Sequence, residues 1–326
     1  MTTALEIAPT APAIPLTATR TMPWHELVAP TLGPGALEVK EGGLTSHEML
    51  KATGLDWDVA ARPLWRRMAD GTFKQSPTAR EVFRTDTELQ LGTVRGRYEV
   101  FCNREAFAFG DALVKDGTGK WVVAGQQNDG KRVFMVMQLG EGFDVLGDDK
   151  YESYLFIRTS HGDGTSISAA VVPFRVRCTN QSALARREAK SSWSIPHTTT
   201  VADRLEEART ALKLTMNYEA EFKKMAEQLA AVKISDEKVK SLVDSIVPAR
   251  RSRRDDIIGD IIANYQASTT AEEFRGTGYG LLQGVTEYYD HVKRQRSGNA
   301  RFESIMFGEG NTARNQLVQH LMALAV

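Results

Sequence analysis

The chain has 326 residues, 42% of them hydrophobic and 25% charged, and its 41 basic and 41 acidic side chains cancel to a formal net charge of zero. This is the composition of an ordinary folded protein of one large domain or two moderate ones, and it excludes a disordered chain or a uniformly basic coat for nucleic acid. Any nucleic-acid role therefore needs basic residues gathered locally.

No apolar run approaches the roughly 18 residues of a membrane-spanning helix. The opening MTTALEIAPTAPAIPLTATR has no basic cluster ahead of an apolar stretch, so no secretory leader is read there. The expectation is a cytoplasmic protein with no membrane partner, in which Cys102 and Cys178 are reduced thiols rather than a disulfide.

Taken in order, residues 1–22 are rich in Ala, Pro and Thr and lack periodicity, which predicts a flexible tail. Met22, Pro23 and Trp24 are the first expected anchors. TSHEMLKATG reads as a short helix capped at Ser46 and stopped at Gly54. LDWDVAARPLW alternates like a half-buried strand that Pro63 should break, and GTFKQSPTAREVFRTDTE reads as a turn and short strand.

The centre of the chain is strand-rich. GRYEVFCN alternates as a strand, and Asn103 is expected to cap one helix that runs to Gly117. WVVAGQQNDGKRVFMVMQL is a hairpin reversing at Asn128-Asp129-Gly130, where positive φ angles are needed. A second hairpin reverses at His161-Gly162-Asp163-Gly164, and Pro173 in its return strand argues for an edge or a bulge.

Beyond residue 195 the period changes to that of helices. Val201, Leu205, Ala208, Leu212, Met216, Phe222 and Met225 mark one long amphipathic helix over 198–231. ISDEKVKSLVDSIVP is a second, begun by Ser235 and ended by Pro248, and further helical stretches follow. The fold expected is α+β. An antiparallel β-sheet packed with helices occupies 23–195, and a mostly helical C-terminal region occupies 196–326.

No stretch carries a specific catalytic signature. There is no P-loop, no GxGxxG after a strand and no HExxH. His161 and Asp163 supply two donors where a metal needs three or four, and Gly-Asp-Gly is good turn chemistry, so the turn reading leads. The imidazole would otherwise meet a phosphate or a neighbouring subunit. A Cys178–His161 nucleophile pair lacks a third, orienting residue. GTGYG at 276–280 sits in a helical pattern and is read as close helix packing. ARRSRRDD at 249–256 is read as a solvated, self-paired run. No catalytic residue, metal or cofactor is assigned.

The basic residues say more. Lys131, Arg132 and Arg158 lie near hairpin ends, Arg175 and Arg177 share a face by period two, and Arg186, Arg187 and Lys190 follow. Such a face can track a phosphate backbone while Tyr154 or Trp193 stacks on bases; Phe156 and Phe174 lie nearby. The competing reading pairs the arginines with carboxylates and places the aromatics in the core.

The pieces MPWHELV, GLDWDV, FRTDTELQLGTVRGRYEVFCNREAFAFGDALV, GKRVFMVMQL, TSHGDGTSISAAVVPFRVRCTNQSALA and FRGTGYGLLQGVTEYYDH recur in this order and spacing in a known family. From Trp24 onward the chain resembles the phage/plasmid-like proteins grouped as domain of unknown function 932. That resemblance implies a gene of a phage, prophage or plasmid and brings no established activity.

YEVFCNREAFAFGDALV followed by the GKRVFMVMQL hairpin also resembles, in architecture, the core of single-strand-annealing recombinases. That likeness implies a homo-oligomer that holds a strand in a basic groove. The leading expectation is a non-catalytic single-stranded DNA-binding protein that anneals strands. The rival is a structural or interaction protein acting through its long helices, and an enzyme comes third.

Overall fold

The computed structural model describes residues 37–38, 43–95, 98, 100–115, 117–147, 149–162, 167–175, 192–195, 218–296, 300–301, 304–305 and 308–325. The predicted tail, its anchors and the 198–217 part of the long helix lie outside these residues. The described residues form two antiparallel sheets with helices against them, the α+β class read from the sequence.

The larger sheet has six strands, in the order β1 (Leu37–Glu38), β5 (Gly119–Gln127), β6 (Arg132–Val145), β7 (Asp149–Ser160), β8 (Ile167–Arg175) and β9 (Ser192–Ile195). The smaller sheet has β2 (Val59–Arg67), β3 (Phe73–Arg84) and β4 (Gln90–Arg95) in sequence order. The β5–β6 turn is the one expected, with φ of 51°, 57° and 91° at Asn128, Asp129 and Gly130.

Strands β6 and β7 are near-continuous apolar runs because both of their faces are covered. One face carries Trp121, Met135, Met137, Leu155, Ile157 and Val171 into the main core. The other carries Val123, Phe134, Val136, Tyr154, Phe156 and Val172, with Ile305 over them. A register slip between Trp121 and Val123 lets these close neighbours serve opposite faces. Each large apolar side chain buried this way contributes about 1.5–3 kcal/mol.

Helix α1 (Ser46–Ala52) begins with a capping box in which Thr45 and Glu48 bond reciprocally. The single helix expected over 103–117 is three short pieces: α2 (Asn103–Phe107), a 3-10 turn (Ala108–Gly110) and α3 (Asp111–Lys115). A Cβ on Gly110 would lie 2.5 Å from the Trp121 ring, so the chain comes too close to the sheet there for a side chain. Asp111 then ties the layers, accepting from the Ser46 amide at 2.6 Å, the Ser46 hydroxyl at 2.8 Å and the Trp121 indole at 3.3 Å.

Two strand boundaries differ from the sequence reading. The strand of this region is Gln90–Arg95, and within GRYEVFCN the described residues Tyr98, Val100, Phe101 and Cys102 have no regular structure. Strand β2 passes through Pro63, because β2 is an edge strand and an edge position tolerates a missing amide. The same logic fits Pro173, which lies in β8 beyond the Ile167–Ala170 stretch that pairs with β9.

The C-terminal helices are α4 (218–231), α5 (Asp236–Ile246), α6 (Arg254–Ala267), α7 (Gly278–Glu287), which ends in a π turn over Tyr288–Val292, and α8 (Glu309–Met322). They share the main core with the sheet. Tyr151 of β7 and Tyr279 of α7 meet hydroxyl to hydroxyl at 2.7 Å, and the Tyr279 hydroxyl reaches the buried Asp149 carboxylate at 2.7 Å. Phe222, Met225, Ala226 and Leu229 of α4 are fully buried in this core. Over its described residues, the apolar stripe of α4 is therefore core. Gly280 and Gly284 of α7 do serve close packing: a Cβ on Gly280 would lie 2.1 Å from the Phe274 carbonyl oxygen.

Candidate nucleic-acid interface

Of the basic residues expected to hold phosphate, Lys131, Arg132 and Arg158 come together at one end of the β6–β7 ladder. Arg132 sits opposite Ser160, and Arg158 opposite Phe134, so both guanidiniums belong to the sheet face of Phe134 and Phe156. Lys131 is exposed and the two arginines are half-buried. The Arg175 backbone pairs with Tyr151, and the Trp193 backbone with Ala169. Arg177, Arg186, Arg187 and Lys190, with Asp163 and Cys178, lie outside the described residues.

Tyr154 corrects one expectation. Its ring is fully buried among Phe134, Phe156 and Val172, and its hydroxyl donates to Glu152 Oε2 at 2.6 Å. Burial, reinforced by that carboxylate, pushes the phenol far up, so it stays protonated. A ring enclosed in this way presents no face to a base.

His161 is also a structural group. It is 1% exposed, with Nε2 2.8 Å from Asn103 Oδ1. The Asn103 Nδ2 donates to the Leu55 carbonyl at 2.8 Å, which turns Oδ1 toward the ring and places the proton on Nε2. Trp57 meets the imidazole edge-on at 5.3 Å, and Arg84 lies over the Trp57 ring at 4.4 Å.

Beside it, Gly162 (φ +94°) runs backbone to backbone against Gly92 of β4, where an added Cβ would lie 2.3 Å from the Gly162 oxygen. The His161 turn is thus the joint between the two sheets, rather than a contact for phosphate. Among the described residues no group of three or more His, Cys, Asp or Glu is placed to hold a metal. Cys102 is a free thiol beside the Val59 carbonyl, and burial pushes its pKa up.

A polar cluster in the helical half is closed by its own pairs. Arg314 and Asp290, both fully buried, meet at 2.6 Å, and Lys293 reaches Glu309 at 2.7 Å. The arginine-rich run at 249–256 is largely paired as well. Arg253 bonds Asp256 at 2.7 Å, Arg254 bonds Asp244 at 2.7 Å, and Arg251 bonds Glu309 at 3.2 Å. Two of these three pairs reach other segments, so the run ties the helical half together instead of only pairing with itself.

The exposed chemistry lies in a segment that the sequence reading passed over. Strands β2 and β3 continue past the described residues of β4, which pair with Ala79–Phe83, as a two-stranded ribbon closed at Asp70-Gly71. The tip is held by Met68 N–H to the Thr72 carbonyl (2.8 Å) and by Thr72 N–H to Asp70 Oδ1 (2.9 Å), with Gly71 at φ +84°. Three extra residues on β3 between the Pro63–Arg80 and Trp65–Gln75 pairs set the ribbon off from its root.

On the ribbon Trp65 is 60% exposed and Phe73 66%, the largest values among the large exposed hydrophobic side chains of the described residues. Register pairs Trp65 with Gln75, Arg67 with Phe73 and Arg66 with Lys74. Alternation then puts Trp65, Arg67, Phe73 and Gln75 on one face and Arg66 with Lys74 on the other. Root cations are neutralised: Arg62 bonds Glu81 at 2.7 Å and Glu88 at 2.6 Å, and Arg84 bonds Asp86 at 2.7 Å. Arg66, Arg67 and Lys74 make no ion pair with any described residue. Arg66 and Lys74 are like charges directly across a strand pair, which is destabilising until an anion joins them. The readable signal was RRMADGTFK, an Asp-Gly turn flanked by cations and aromatics, hidden by reading Pro63 as a stop.

The family described as Domain of unknown function (DUF932) matches residues 90–306. The chain belongs to this family. The matched region covers β4 to just before α8 and so holds both faces of the large sheet, whereas the ribbon precedes it. No curated protein and no solved structure matches the chain. No helix among the described residues is long and apolar enough to cross a membrane.

Proposed function

We propose that the chain is a non-catalytic protein that binds single-stranded nucleic acid, with the β2–β3 ribbon as its main contact. The observation that supports this is one exposed ribbon bearing two open aromatic rings and three cations that make no ion pair with any described carboxylate. Rings stack on unpaired bases and cations take phosphates, the combination that holds single strands without reading sequence. Zero net charge is no obstacle, because the cations are concentrated where they are needed. Lys131 adds an exposed charge at the β5–β6 turn, where Gly130 packs against Trp57 near the ribbon's root.

DNA of a phage, prophage or plasmid, strand annealing, homo-oligomerisation and a cytoplasmic location are the finer parts of this reading. They rest on the family and architecture resemblances. The test is fluorescence anisotropy of a labelled single strand across a salt series. Three phosphate contacts predict a log–log slope of about −2 from the ribbon alone. Binding with no salt dependence, or none at the lowest salt, would remove the reading.

A further inference from the structure

We infer that the ribbon selects an extended, weakly stacked strand, seating two successive bases on Trp65 and Phe73 with Arg67 on the phosphate between them. This deepens the proposed function and rests on it. Trp65 and Phe73 are diagonal neighbours on one face, because Trp65 pairs with Gln75 and Phe73 with Arg67. Diagonal neighbours across an antiparallel pair stand about 7 Å apart. Successive bases in a duplex strand rise about 3.4 Å, so two stacked neighbours cannot each cover a ring. A strand whose bases are drawn apart to roughly twice that rise can.

Arg67 adjoins both rings, being two residues from Trp65 on β2 and directly opposite Phe73 on β3. Its guanidinium is the cation placed for the linking phosphate. Arg66 and Lys74, on the reverse face, relieve their mutual repulsion on a flanking phosphate as the strand wraps the ribbon edge. Pairing through the ribbon's edges by a second copy of the chain is disfavoured by the cations on both of its strands, while nucleic acid fits that charge.

Stretching costs less for a strand that stacks poorly. Oligo-dT should therefore bind more tightly than oligo-dA of equal length and charge, and a duplex should bind most weakly. The experiment uses the full chain with labelled strands of about 15 nucleotides: oligo-dT, oligo-dA, the oligo-dT·oligo-dA duplex, and oligo-dT with alternate bases removed.

The expected result is that oligo-dT binds about tenfold or more tightly than oligo-dA. Removing bases should cost about as much as Trp65→Ala with Phe73→Ala, and the variant should be indifferent to the missing bases. Equal binding of oligo-dT, oligo-dA and abasic strand, with loss only in Arg66→Glu/Lys74→Glu, would overturn the two-base seat and leave nucleic-acid binding standing. No binding to any probe at low salt would overturn both.

Discussion

Two strand pairs in this molecule carry nearly the same mixture of aromatic and cationic residues and do opposite things with it. On β6–β7, Phe134, Tyr154 and Phe156 share a sheet face with Arg132 and Arg158, and all three rings are at most 1% exposed. On β2–β3, Trp65 and Phe73 stand beside Arg66, Arg67 and Lys74, and both rings are more than half exposed. The difference lies in what covers the strands. The six-stranded sheet is packed on both faces, while the ribbon continues past the described part of its third strand with no described residue of either core cluster over its rings. An aromatic next to an arginine becomes core in one place and an exposed ring in the other.

The comparison predicts opposite consequences for matched substitutions. The largest effects should be on stability within the enclosed regions. Phe156→Ala should cost about 3–5 kcal/mol in urea unfolding, from lost burial and the cavity left behind. Arg314→Ala should cost about as much, because it removes the ion-pair partner of the buried Asp290 carboxylate. A loss below about 1 kcal/mol at either site would show that these regions are more open than described.

At the ribbon, stability and binding exchange places. Trp65→Ala and Phe73→Ala should each leave the unfolding free energy within about 0.5 kcal/mol of the parent. Each should weaken single-strand binding by about 1–3 kcal/mol. Arg66→Glu with Lys74→Glu should flatten the salt dependence by about 1.4 in log–log slope, since two phosphate contacts are lost. An unchanged slope would place the phosphates elsewhere.

The smallest effect concerns Cys102. Burial holds its pKa above that of a free thiol, so less thiolate is present at any given pH. In a Cys178→Ser background, labelling at mildly alkaline pH should be slower than for a denatured control. The unfolded thiol also ionises first as pH rises, so Cys102 contributes stability below the ordinary thiol range and loses it above. Labelling at the denatured rate would mean an open site.

What could be read from the sequence follows from how local each signal is. The Asn128-Asp129-Gly130 turn, the Ser235 cap of α5 and the tight glycines of α7 were legible because the residues themselves impose the geometry. The break of the central helix at Gly110 was not, because its cause is the Trp121 ring across the interface. Tyr154 was read as a stacking face because period two says which residues share a face, and not whether that face is covered. The ribbon was missed through one local rule. Proline ends a strand in a sheet interior, but Pro63 lies on an edge, and the pairing resumes beyond it through Trp65 and Arg67.

The most direct test of the account sets the two aromatic sites against each other in one titration. The parent chain, Trp65→Ala/Phe73→Ala and Tyr154→Phe would be titrated into the same labelled single strand at low salt. The account predicts that the ribbon double variant loses about 30-fold or more in affinity, while Tyr154→Phe, which removes only an enclosed hydroxyl, binds like the parent. Full affinity in the ribbon double variant, with loss in Tyr154→Phe, would contradict it.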